Sequence, residues 1–142
     1  MTIDSRLATR RFWFPVVLVA TLAVASGFDP GGPEKDGIPH FDKIAHFFVY
    51  GLMSTLWFRF LKGCLKSTPR FVWALCLTLL YGVADEWIQS HNPNRVTDLY
   101  DFVADGVGGL TGVFVYRNWN LYRRILETPI AYFVQKKLTD DY

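Results

Sequence analysis

Residues 85–105 read DEWIQSHNPNRVTDLYDFVAD, a stretch with five carboxylates, one arginine and one histidine. It is flanked by FVWALCLTLLYGVA (71–84) and GVGGLTGVFVY (106–116), both apolar enough to lie in lipid. A chain that otherwise keeps charge out of its apolar runs has gathered acid at one place. An Asp near the middle of a spanning helix costs a few kcal/mol on insertion scales, less near the interface. Asp85, Asp101 and Asp105 therefore need partners, protons, water or metal, and neighbouring helices have to supply them.

The rest of the chain says what those neighbours are. Its 142 residues make one domain at most. With 51% hydrophobic and 17% aromatic residues there is little polar surface to cover a soluble core. The apolar residues fall into four blocks, Phe12–Phe28, Phe41–Leu61, Phe71–Gln89 and Leu99–Tyr116. Each is about as long as a helix needs to cross the hydrocarbon core. The expected fold is all-α: a four-transmembrane-helix bundle with spans at 12–28, 41–61, 71–89 and 99–116 and a cytoplasmic tail at 117–142, all one membrane domain over 1–142. The lipid bilayer is its first partner. A soluble helical bundle with an oily core is the rival, and it leaves the block lengths unexplained.

The net charge of +2 hides an asymmetry. Arg6, Arg10 and Arg11 precede the first block, Arg59, Lys62, Lys66 and Arg70 lie between the second and third, and Arg117, Arg123, Arg124, Lys136 and Lys137 follow the fourth. Twelve of fifteen basic residues thus share one side of the bundle, leaving Lys35, Lys43 and Arg95 on the other. Lys/Arg bias in short loops sets orientation, so both termini of this multi-pass chain are expected in the cytoplasm. Basic clusters split across the flanks of apolar spans do not form a nucleic-acid footprint, and no nucleic-acid partner is expected.

The first block also has a basic start and an Ala23-Val24-Ala25 step that resembles a signal-peptidase site. Its long apolar run favours a retained span. Cys64 and Cys76 have neither the spacing nor the compartment for a disulfide or a zinc site. DPGGPEKDGIPH (29–40) reads as an irregular outer loop, and SHNPNR (90–95) as a tight outer turn after which Thr97 or Asp98 can cap the fourth helix. NWNLYRRILETPIAYFVQKKL (118–138) mixes basic with aromatic and aliphatic residues, which suits a C-terminal amphipathic segment at the inner interface, interrupted at Pro129. Gly108 and Gly112 form a G-x-x-x-G step, read as ordinary close packing within the bundle rather than as a dimer seam.

At helical spacing the polar residues form ladders. The second span carries Asp42, His46 and Tyr50, the third Tyr81, Asp85 and Gln89, and the fourth Asp98, Asp101 and Asp105. Two of these helices start at the outer side and one ends there, so all three ladders meet at the outer end. Matched by depth, Asp42, Gln89 and Asp98 are outermost, His46, Asp85 and Asp101 one turn deeper, and Tyr50, Tyr81 and Asp105 deepest, about 10 to 12 Å below the edge. The acids are concentrated because three helices jointly build one polar pocket.

Each member also has a plainer role. His46 can simply pair with Asp42 or Asp85, Tyr50 and Tyr81 can donate to Asp105, and Asp98 can be a helix cap. Lys43 can snorkel outward, and Glu86 can pair with Lys43 or Arg95. Arg95 can also anchor an anionic head group.

These residues resemble the VanZ-like family of small bacterial membrane proteins. The family's Asp-Lys-x-x-His with a Tyr four residues on is matched by DKIAHFFVY, giving Asp42, Lys43, His46 and Tyr50. Its Tyr-Gly-x-x-Asp-Glu-x-x-Gln is matched by YGVADEWIQ, giving Tyr81, Gly82, Asp85, Glu86 and Gln89. A third block, an Arg, an Asp pair and a glycine-rich span, is matched by Arg95, Asp98, Asp101, Gly108 and Gly112. Where the family often has Asn, this chain has Asp105. The resemblance implies a bacterial inner (cytoplasmic) membrane protein of the cell envelope, in a family named for a protein linked to teicoplanin resistance.

Three functions follow as expectations. The first is binding of a lipid-linked cell-wall precursor or glycopeptide-type ligand in the outward-facing pocket, through Asp42, Lys43, Tyr50, Tyr81, Gln89, Arg95, Asp98 and Asp105. The second is a metal-dependent membrane enzyme on a similar substrate. There His46, Asp85 and Asp101 would hold a divalent metal ion, with Glu86 as base, these four being the catalytic candidates. No tight ligand motif on one helix, such as H-E-x-x-H, supports it. The third is proton or cation coupling through Asp105 and Asp101.

Overall fold

The computed structural model describes residues 3–28, 41–91 and 98–128. Residues 29–40, expected as an outer loop, 92–97, expected as a turn with Arg95, and the segment from Pro129 onward lie outside the described residues. Five helices follow one another without a strand among the described residues: α1 (Ile3–Phe28), α2 (Phe41–Phe60), α3 (Ser67–Gln89), α4 (Leu99–Asn118) and α5 (Asn120–Glu127). A single 3-10 turn, Leu61–Gly63, closes α2.

Helix ends differ from the apolar blocks where the flanking residues are themselves good helix formers. The α1 helix begins well before Phe12 because the basic segment ahead of it, with three Arg, one Leu and one Ala and neither Gly nor Pro, continues the helix at little cost. Pro15 lies inside that helix and is fully buried. The α3 helix begins at Ser67, so Pro69 falls in its first turn, where a missing N–H costs nothing. Asp98 caps α4, its Oδ1 accepting the Tyr100 amide at 2.9 Å. Asp42 in the first turn of α2 and Arg59 in its last both complement the helix dipole.

Helix α2 is the centre, packed along α4 and also against α3 and α1. The seam with α4 is made of glycine. A β-carbon at Gly108 would collide with the Phe47 carbonyl, and one at Gly112 with the Gly51 carbonyl. One at Gly51 would stand 2.9 Å from the Gly108 carbonyl oxygen. The G-x-x-x-G step thus packs within the chain, backbone against backbone. Below it Phe58, Ala74, Val113 and Tyr116 form an apolar core, flanked by Trp57, Phe71, Tyr122 and Leu126.

Beside Tyr50, Met53 and Leu56 the interior buries the small hydroxyl side chains Ser54, Thr55 and Thr78, while Phe48, Trp73, Leu80, Trp87 and Phe114 face outward. Thr55 and Thr78 satisfy themselves on carbonyls four residues back, Gly51 and Ala74, each at 2.9 Å. Apolar residues on the outside and glycine and hydroxyls inside suit a helix bundle in lipid, where close backbone approach replaces hydrophobic burial. Among the described residues three helical stretches are long and apolar enough to cross a membrane: Ala8–Gly27, Phe41–Gly63 and Ser67–Gln89. Helix α4 has comparable length, 20 residues, but Asp101, Asp105 and four glycines lower its hydropathy.

Candidate functional site: an acid end and a basic end

Helix packing segregates charge. The start of α2, the end of α3 and the start of α4 form an acid end. The start of α1, the end of α2, the start of α3 and α5 form a basic end.

At the acid end, Lys43 Nζ reaches three carboxylates: Asp42 at 2.7 Å, Asp98 at 2.7 Å and Asp101 at 3.1 Å. The Lys43 ammonium and the Tyr100 amide hold the Asp98 carboxyl below the usual carboxylate range. Lys43 therefore clamps the starts of α2 and α4 rather than snorkelling alone. One turn deeper, His46 Nδ1 lies 2.8 Å from Asp105 Oδ1. Asp105 is only 1% exposed, and its Oδ2 has no hydrogen-bond partner among the described residues. That oxygen lies over Gly82, where a β-carbon would come within 2.6 Å of it. The glycine of YGVADEWIQ is thus the space that Asp105 occupies.

Asp85 forms a separate knot. It accepts from Tyr50 Oη at 2.9 Å, from Gln89 Nε2 at 3.0 Å and from Ser26 Oγ of α1 at 2.5 Å. The His46 and Tyr50 rings stack with centroids 5.4 Å apart, and the Tyr50 and Tyr81 rings lie 6.0 Å apart. The Tyr81 hydroxyl and Glu86 Oε1 are buried without a partner among the described residues.

These contacts correct the depth matching in one respect. Helix α4 sits about one turn shallower against α2, nearer the acid end, than matched rungs require, so Asp105 meets His46 and Asp101 meets Lys43. His46 pairs with neither Asp42 nor Asp85, and Tyr50 serves Asp85 rather than Asp105. The glycine seam sets this offset, because only one register lets Gly108 and Gly112 nest on Phe47 and Gly51. The consequence reaches the expected metal set. His46, Asp85 and Asp101 are each held by a different partner. Among the described residues no group of three His, Cys, Asp or Glu side chains is placed to hold a metal ion. As placed, the described side chains do not assemble a divalent centre from this set.

The basic end is legible in the sequence only as topology. Here Glu127 of α5 accepts from Arg11 Nη2 at 2.6 Å, Arg59 Nε at 3.1 Å and Tyr116 Oη at 2.5 Å. Arg10 Nη1 reaches the Thr128 carbonyl at 3.1 Å. Burial would raise the Glu127 carboxyl, but the Tyr116 and Arg11 hydrogen bonds and the Arg59 charge outweigh it and hold it down to about 2. This knot ties α1, α2 and α4 to α5. Its one sequence signal is that Glu127 is the only acid between Arg117 and Lys137.

The fold and its polar seam define an all-helical protein with membrane-span-like helices and buried acids, Asp85, Asp101 and Asp105, held between α2, α3 and α4. A family model described as VanZ/LLP1 matches residues 5–122, most of the chain. The chain belongs to that family. Comparison with curated proteins and with solved structures gives no match.

Proposed function

We propose that this VanZ-family protein is a multi-pass protein of the bacterial cytoplasmic membrane, with four spans including α4, both termini inside and the acid end facing outward. In this reading it binds a lipid-linked cell-wall precursor or a glycopeptide-type ligand there, with a link to teicoplanin-type resistance. The observation that carries it is the Asp105 Oδ2 atom, buried beside His46 with no partner among the described residues. A buried carboxylate oxygen without a donor is costly, and an amino or hydroxyl group of a ligand would satisfy it. Lys43 and its three carboxylates lie above it, a polar rim suited to a sugar- or amine-bearing ligand. The contact from Arg11 to Glu127 supports α1 as a retained span, since cleavage after Ala25 would remove Arg11. The test is binding of a teicoplanin-type lipoglycopeptide and of a lipid-linked precursor to the protein in nanodiscs. Wild type should bind one of them, and Asp105→Leu should weaken it at least tenfold; no binding of either sinks this reading.

A second reading has its own observation. His46 Nδ1 is committed to Asp105, which orients the imidazole and leaves Nε2 for a reacting group. That is an acid–base pair without a metal, acting on the same class of substrate. Turnover of a lipid-linked precursor by the purified protein, lost in His46→Gln, would distinguish it from binding alone.

A further inference from the structure

The basic end contains a cavity that the acid-end reading does not use. Its volume is about 260 Å³, and Arg59, Lys62, Arg70, Arg117 and Arg123 converge on it. Phe58 and Tyr116 floor it, and the Arg70 guanidinium lies 4.0 Å over the Phe58 ring. Glu127 neutralises at most one of these cations, and it is shared with Arg11.

Arg59 is the decisive residue. It is 1% exposed, its Nε donates to Glu127 and its Nη2 donates to the Leu126 carbonyl at 2.6 Å. Its Nη1 is buried with no partner among the described residues, and so is Arg70 Nε. Five cations around one cavity repel each other, and a buried guanidinium N–H without an acceptor is costly. A tetrahedral oxyanion removes both penalties, because guanidinium groups present paired N–H donors that match phosphate oxygens.

A second cavity says how the oxyanion is delivered. A groove of about 610 Å³ between α3 and α4 is walled by Phe71, Leu110 and Phe114 and ends at Arg117, which also lines the cationic cavity. Leu110 and Phe114 are 46% and 66% exposed on the face that lipid would cover. An apolar groove and a cationic cavity that share Arg117 match an amphiphile with an acyl chain and a phosphate head.

We propose that the basic end of the bundle is a binding site for an anionic phospholipid, its acyl chain along Phe71, Leu110 and Phe114 and its phosphate against Arg117, Arg70 and Arg59. The site is independent of the acid end. It joins α2, α3 and α4 to α5 through the ligand, where Glu127 ties α1, α2 and α4 to α5 through protein. Basic pockets between spanning helices are a recurrent way of holding lipid head groups.

The experiment uses the full chain in phosphatidylcholine nanodiscs, with phosphatidylglycerol added in one arm and inorganic phosphate in the other. Thermal midpoint and lipid retained through native mass spectrometry are read together. Wild type should retain phosphatidylglycerol in preference to phosphatidylcholine, and its midpoint should rise with phosphatidylglycerol content. Arg117→Gln with Arg123→Gln, both at exposed positions, should keep the phosphatidylcholine midpoint and lose retention about tenfold for each charge-assisted contact removed. Leu110→Trp, which fills the groove, should lower lipid retention without changing the response to phosphate. Equal retention of the two lipids, or no change in the double variant, overturns the site. Full stabilisation by inorganic phosphate, with Leu110→Trp silent toward lipid, would make it a free-phosphate site and overturn the lipid assignment.

Discussion

His46 of α2 and Asp105 of α4 are joined at 2.8 Å, a buried pair in which only one carboxylate oxygen is satisfied. The pair ties the two most closely packed helices together one turn below the Lys43 clamp. Removing the histidine leaves a buried carboxylate with no donor, which costs about 3 to 5 kcal/mol where such a pair is broken. Asp105→Asn keeps an acceptor for His46 and removes the costly charge, so it should cost about 1 kcal/mol or less. His46→Ala should therefore be strongly destabilised, and adding Asp105→Asn should restore much of the loss. A thermal double-mutant cycle in detergent measures this, and purely additive effects would show that the two side chains do not act as a pair.

The glycine seam makes a sharper steric forecast. Gly112→Ala drives a methyl into the Gly51 carbonyl and Gly108→Ala drives one into that of Phe47, whereas Gly106→Ala meets only Leu79 Cδ2 at 3.7 Å. Overpacking against rigid backbone costs about 1 to 3 kcal/mol or more, and ordinary van der Waals contact costs little. The yield of monodisperse protein on size exclusion should fall for the first two variants and hold for the third. Equal behaviour of Gly112→Ala and Gly106→Ala would remove the seam.

That seam also marks where the sequence stops being legible. Helices α2, α3 and α4 follow from runs of apolar residues and their Pro and Asp punctuation, and the acids of 85–105 announce that helices must share them. Which acid meets which donor depends on how far α4 slides along α2, and that distance is set by the close approach of the two backbones at Gly51, Gly108 and Gly112. Periodicity contains no such information. Hence Asp105 falls to His46 and Asp85 is left to Tyr50, Gln89 and Ser26. Ser26 is invisible beforehand because a lone serine at the end of an apolar run has no signature. Arg59 is hidden for another reason: in sequence it counts as one more inside-facing charge, and only the return of α5 buries it against Glu127.

Glu127 gives the pH forecast. Its carboxyl is held down to about 2 from an ordinary 4.5, although burial acts in the other direction. A depressed carboxylate stabilises the fold above the unfolded value and loses that contribution as pH falls from about 4.5 towards 2. At neutral pH the contribution is on the order of 2 kcal/mol after allowance for partial exposure. Glu127→Gln should therefore melt earlier than wild type at pH 7, and the two curves should converge as pH approaches 2. A constant gap between them across that window would show that Glu127 contributes shape rather than charge.

Orientation and the passage of α3 can be checked together with three single-cysteine proteins. Cys64 is exposed just after the 3-10 turn at the basic end, and Cys76 is exposed along α3. Leu99 is 76% exposed at the start of α4, at the acid end. The twelve basic residues on the Cys64 side should hold it in the cytoplasm, since moving them across would oppose the rule that sets topology. In intact cells an impermeant maleimide should label Leu99→Cys, made in a background without the native cysteines, and should leave Cys64 silent until the membrane is opened. Cys76, facing lipid, should react poorly in both conditions. Labelling of Cys64 alone in intact cells would invert the protein, moving the Asp105 pocket to the cytoplasm and away from envelope precursors. Labelling of both Cys64 and Leu99→Cys from outside would mean that α3, which joins them, does not cross the bilayer, and the four-span reading would fall.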